Sequence, residues 1–149
     1  MPNTNNEVHE LAKDFLNLMP LFKNNIFKPL EKAMTTELSH MQFHVLMHLH
    51  SKGTLSMSEL ASEMKILKQQ LTPITDKLAE LNYVERVNDN KDRRSVKISI
   101  TQAGLDFIEE SKQKGLQLVE SKLENLSSED VKAFHDAIKT IDEIVHKLQ

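Results

Sequence analysis

One stretch of this chain alternates where the rest is patterned helically: Val96, Ile98 and Ile100 are separated by Lys97 and Ser99. Alternation at period two places one face of a strand against a core and the other in water. Val84 to Val87 can form the second arm of a hairpin, and the tip between them, NDNKDRR, is too polar and charged to pack. Elsewhere the apolar residues follow helical spacing. Three glycines and four prolines in 149 residues are too few for the many tight turns of a sandwich or barrel. The expected class is mainly α (α+β), with a single hairpin among helices.

Val8, Leu11, Phe15, Leu18, Phe22 and Ile26 recur at steps of three and four. They predict an amphipathic helix over 8–30, interrupted near Pro20 and closed by Pro29. Ser39 with Gln42, and Ser56 with Glu59, have the spacing of capping boxes, which open helices at 39 and 56. The run LKQQLTPITDKL (67–78) puts Leu67, Leu71, Ile74 and Leu78 on one helix face with Pro73 in its middle. A proline there removes the N–H that would reach the Gln69 carbonyl, at a cost of about 3 kcal/mol in a helix interior. A bend or loosened turn over 69–73 is therefore expected. Asn82 tolerates the left-handed conformation that ends a helix. Thr101 can cap a helix reaching about Asn125, and SSED at 127–130 opens a last helix. Val131, Phe134, Ile138, Ile141, Val145 and Leu148 lie along one side of that last helix.

Two helices joined by a short turn and followed by a hairpin make a winged helix-turn-helix, placed here at 39–100. Helix 67–82 takes the position that enters a DNA major groove, and the wing is 88–95. The segments 7–30 and 101–149 flank this unit within one domain of 149 residues. The flanks carry more apolar surface than a small winged helix can cover, which points to a second copy of the chain.

The net charge is −3, yet residues 65–97 hold eight Lys/Arg against five Asp/Glu, a local +3, and the remainder is −6. One basic segment on an acidic scaffold fits a localised nucleic-acid surface. Absence of cysteine excludes disulfides, thiolate metal sites and nucleophilic cysteine. No nucleophile–base pair, phosphate loop or H-E-x-x-H occurs, so neither an enzyme nor a cofactor is expected. The N-terminus lacks a signal-peptide pattern and no apolar run approaches the length of a membrane span, so a cytoplasmic protein without membrane contact is expected.

SMSELASEM, LTPITDKLAELNYVER and the wing DNKDRRSVKISITQAG, in this order and spacing, resemble the MarR family of bacterial transcription regulators over nearly the whole chain. Leu67 departs from the pattern where a capping serine is common, and Asn82 where glycine usually ends the recognition helix. The resemblance implies a homodimer whose first and last helices interlock, binding double-stranded DNA at a pseudo-palindrome. It implies a repressor relieved by a small, often aromatic or anionic effector.

On the recognition helix, Lys68, Gln69, Gln70 and Thr72 are the candidate base contacts, since glutamine pairs with adenine, lysine reaches guanine, and threonine offers a methyl to thymine. Lys65 and Lys77 are candidates for phosphate. Ser56 is foremost a cap, and the N–H groups it leaves exposed also suit a phosphate. Arg94 matches the family's wing arginine, which enters the minor groove, where narrow A·T-rich segments attract guanidinium groups. Arg93 and Lys91 add charge beside it, Arg86 braces the hairpin or meets a phosphate, and Asp92 stabilises the wing. A second reading gives Arg94 a salt bridge to Asp92 or Asp89 that only stiffens the hairpin. Phe15, Met19, Met34 and His44 are candidate lining of an effector pocket, with plain core as the alternative.

His40, His44 and His48 share one helix face at the spacing of helical metal ligands. His40 and His48 lie about 12 Å apart along the axis, so ligands such as Glu37 or His135 would have to complete any site. A metal-responsive regulator built on these histidines, and a winged helix used only for protein–protein contact, are the alternative functions.

Overall fold

The computed structural model describes residues 4–92 and 94–148. Helix α1 (Thr4–Phe22) passes through one π-helical turn (Lys23–Phe27) into α2 (Lys28–Thr35). Neither proline acts as the sequence predicts. Pro20 lies inside α1 without ending it, because only the bond to the Leu16 carbonyl is lost and that residue faces water. Pro29 sits in the first turn of α2, directly after the π-helical turn, and does not close the helix. The turn before it widens, with the Lys28 N–H reaching the Lys23 carbonyl five residues back.

Helix α3 (His40–Lys52) opens with the expected box: the Gln42 N–H donates to Ser39 Oγ and the Ser39 N–H to Gln42 Oε1. Gly53 ends it at φ 85°, the left-handed region that favours glycine. A strand unmarked in the sequence follows, β1 (Leu55–Ser56). Ser56 is at once its last residue and the N-cap of α4 (Met57–Met64), with the reciprocal box to Glu59 in place. The Ser56 N–H and hydroxyl hold the Glu59 carboxyl below the ordinary carboxylate range.

Helix α5 (Lys68–Glu80) runs unbroken through Pro73, so the helix is not interrupted over 69–73. Leu71, Thr75 and Leu78 are buried on its inner side against α3 and α4. The buried Thr75 hydroxyl is satisfied within the helix, at the Thr72 carbonyl 3.0 Å away. Asn82 follows at φ 63°, as expected.

β2 (Val84–Asn88) and β3 (Val96–Ile100) form the hairpin, with Val84 opposite Ile100 and Asn88 opposite Val96. β1 pairs on the other edge of β3, giving the antiparallel order β1-β3-β2. The helices and sheet close over a core that includes Leu46, Leu49, Leu60 and Ile98, all fully buried. Thr101 joins wing to scaffold: its hydroxyl accepts from the Gly104 N–H at 3.1 Å and donates to the Asn82 carbonyl at 2.6 Å.

Helix α6 (Gln102–Leu123) then packs along α2, where Gly115 lets the Leu30 and Met34 side chains approach. Ser127 caps α7 (Ser128–Val145), and a short 3₁₀ turn (His146–Leu148) ends the described chain. Within one protomer, α1 and α7 bury none of their large apolar residues: Leu11 is 68% exposed and Ile141 56%.

Tyr83 is stacked on Phe107, ring centroids 4.7 Å apart, and donates its hydroxyl to Glu37. Burial, aided by the carboxylate beside it, pushes the phenol up to about 12. It is the only tyrosine in a chain without tryptophan, so phenolate absorbance reads it alone. We expect a titration midpoint near 12 in the folded protein. Because the folded value exceeds the unfolded one of about 10, the linked stability is intact below pH 10 and lost as pH rises towards 12. A midpoint near 10 at a pH where the fold persists would contradict the pairing of a half-buried Tyr83 with Glu37.

Candidate nucleic-acid interface

The N-terminus of α4, the first turns of α5 and the wing converge on one cleft of about 520 Å³. Ser56 and Ser58 come from the first, Lys68 and Thr72 from the second, and Arg86, Asp92 and Arg94 from the hairpin. Three cations and one carboxylate therefore line a groove at the turn's open side, and the field there is positive.

The wing's shape is set locally. The Ser95 N–H donates to the Asp92 carbonyl at 3.0 Å, and Asp92 Oδ1 accepts from the Arg94 N–H at 3.0 Å. Asp92 thus turns the backbone at Arg94 rather than pairing with its guanidinium. Asp89 accepts from the Lys91 N–H at 3.0 Å and pairs with Lys97 at 3.4 Å. The Lys91 N–H is the larger cause holding the Asp89 carboxyl below its ordinary range. Among the described residues Arg94 makes no ion pair, and it is exposed. The strut reading of Arg94 finds no partner in Asp89 or Asp92. Arg93 lies outside the described residues.

Arg86, on the exposed side of β2, pairs with Asp76 of α5 and so ties the wing's base to the recognition helix. Lys68 Nζ is 3.4 Å from Ser58 Oγ, leaving most of its hydrogen-bonding capacity for a partner. Gln69 is exposed. Gln70 behaves in a way the sequence reading did not foresee. With Leu67 unable to cap, Gln70 Oε1 accepts the Leu67 N–H at 3.0 Å, retaining the half of a capping box that a leucine still allows. Gln70→Ala should therefore cost about 0.5–1 kcal/mol of stability, read by denaturant melts, whereas Gln70→Glu should keep the cap. Unchanged stability in the alanine variant would contradict that role.

Lys65 is the left-handed residue at the end of α4 (φ 55°), Lys77 pairs with Glu80 at 3.4 Å, and Lys91 is exposed on the wing. None of these three lines the cleft. The four proposed effector contacts are not gathered into one cavity. Met19 lies with Pro20, Lys23, Asn24, Phe27 and Lys28 in a separate groove, Met34 rests on Gly115, and Phe15 is 60% exposed. His44 lies against His40 with the rings tilted, centroids 4.1 Å apart.

The histidines on α3 go to different partners, His40 to Glu31 and His48 to Glu63. Among the described residues no group of three or more His, Asp or Glu side chains is placed to hold a metal ion. Nor is any described helix long and apolar enough to cross a membrane.

A family model described as MarR family matches residues 38–96, the segment that builds this cleft. The chain is 30% identical over 108 residues to the uncharacterized HTH-type transcriptional regulator YfiV of Bacillus subtilis, covering 72% of this chain and 68% of that protein. In structure it is similar to the transcriptional regulator Tm0710 of Thermotoga maritima, with a TM-score of 0.78 at 20% identity, over 91% of this chain and 96% of that one. It is also similar to a mutant of S. aureus MepR bound to an oligodeoxyribonucleotide, with a TM-score of 0.70 at 15% identity, over 91% and 98% of the two chains. With the flanking helices, the three-stranded wing and the helix-turn-helix all in place, the chain belongs to the MarR family of winged-helix transcription regulators.

Proposed function

We propose that this chain is a cytoplasmic, homodimeric repressor that binds a pseudo-palindromic operator and is released by a small effector. The cationic cleft between α4, α5 and the wing carries the reading. An α5 placed in the major groove would leave the wing to reach an adjacent minor groove, where Arg94 is unpaired among the described residues. Lys68, Arg86, Lys91 and Arg93 would neutralise phosphates, with Lys65 and Lys77 at the margin, while Gln69, Gln70 and Thr72 face bases. Ser56 would present the N-terminus of α4 to a phosphate. The DNA-bound MepR mutant of similar fold supports this docking.

The dimer reading rests on apolar faces. Helices α1 and α7 expose Leu11, Phe15, Leu16, Ile138 and Ile141 in a single protomer, more than a lone soluble chain leaves in water. Residues 7–30 and 101–149 then serve as dimerisation helices around the DNA-binding region 39–100, in one domain. The separation between the two copies of α5 would set half-sites about one helical turn apart. For the effector, the four residues first considered would need the partner protomer to complete a pocket.

Arg94→Ala tests the wing. We expect unchanged thermal stability, at least a tenfold loss of affinity for a selected duplex in fluorescence anisotropy, and a shallower salt dependence. Equal affinity at moderate salt would remove Arg94 from the interface.

A further inference from the structure

The outward ridge of α5 carries one apolar residue, Pro73, at a position where a base reader is ordinarily polar. Leu71, Thr75 and Leu78 face the core, so the opposite ridge runs through Gln69, Pro73 and Asp76, all exposed. At about 100° per residue, Pro73 lies about 200° around the helix from Leu71, close to the crest. Two of the polar groups beside it, those of Thr72 and Asp76, are engaged within the protein, while Gln69 is exposed. The Thr72 hydroxyl donates to the Lys68 carbonyl at 3.1 Å, and the Asp76 carboxylate is paired with Arg86. What Thr72 offers a base edge is therefore its methyl, and Pro73 offers three ring methylenes and no N–H.

The C5-methyl of thymine is the apolar group on the major-groove edge of the base pairs. We infer that Pro73, with the Thr72 methyl beside it, reads thymine through that methyl. This rests on the DNA-binding reading above and names what the crest of the recognition helix selects. It also gives Pro73 a use: a residue that weakens a helix interior is kept where its ring faces the groove.

The test begins with a duplex recovered from a random-sequence library by the wild-type protein. Each thymine is replaced in turn by deoxyuridine, which deletes only the methyl. At one or two thymines in each half-site, wild-type affinity should fall about fourfold, the effect of exposing one methyl group. Pro73→Ala restores the N–H that the Gln69 carbonyl lacks and suits a helix better, so the variant folds. It should bind the thymine and deoxyuridine duplexes equally at the position it reads. Thr72→Ser keeps the hydroxyl, removes the methyl, and should reduce the same discrimination.

Equal wild-type affinity for every deoxyuridine duplex, a selected half-site without thymine, or full discrimination retained in both variants would overturn the inference and leave DNA binding standing. Failure of the wild-type protein to bind any library member in a salt-dependent way would instead bring down the functional reading itself.

Discussion

Gly104→Ala is expected to destabilise the protein by about 2–4 kcal/mol, the larger end of what forced overpacking costs. A Cβ on residue 104 would fall well inside van der Waals contact with the Tyr83 carbonyl oxygen, 3.1 Å from its carbon and 2.7 Å from Ile100 Cγ1. The obstructing group is backbone, held by the Thr101 N–H at 3.0 Å, so it cannot rotate aside. The residue leading into β2, the end of β3 and the start of α6 would all have to separate. For a chain of this size the midpoint of thermal unfolding should drop by roughly 5–15 °C, followed by circular dichroism. Gly53→Ala differs in kind: nothing lies within 4 Å of its Cβ, and only the positive φ opposes it. A Gly104→Ala variant as stable as the wild type would show that the wing is not locked to α6 as described.

The second large effect concerns assembly. Ile141 is 56% exposed on α7 in its own protomer. Ile141→Asp should leave the protomer folded yet shift the dimer–monomer equilibrium. In the proposed twofold dimer the loss is repeated, and with 56% of each side chain left to bury, two such burials go at about 0.8–1.7 kcal/mol each. That is roughly a 20–200-fold weaker dimer at 1.4 kcal/mol per tenfold, before the cost of burying the carboxylates. Sedimentation equilibrium should show monomer at micromolar concentration, and operator affinity should fall with it because each half-site is then bound alone. A variant that remains dimeric would place Ile141 outside the interface.

Much of this was legible in the sequence because it is local. Ser39 with Gln42 and Ser56 with Glu59 are three residues apart, and each box forms as spaced. The alternation at Val96, Ile98 and Ile100 gave the wing, and Asn82 gave the end of the recognition helix. What escaped depends on partners distant in the chain. β1 is two residues long and is a strand only because Leu55 meets Ile98, 43 positions away. The pairings of Arg86 with Asp76 and of Tyr83 with Glu37 have no periodic signature. Pro29 misled for the opposite reason: a proline's local penalty is real, yet an exposed helix tolerates a lost bond, and here it continues through a widened turn into α2. At the cleft the charged residues were legible, but not that Gln70 is a cap or that Asp92 turns the backbone beneath Arg94.

The central claim is that the cationic cleft of a dimer holds duplex DNA, and the salt dependence of binding tests it most directly. Affinity for a selected duplex would be measured from about 50 to 200 mM salt. With at least six phosphates neutralised by the two protomers, log affinity should fall against log salt with a slope of about −5 or steeper. A slope near zero, or no measurable binding to any duplex, would contradict it.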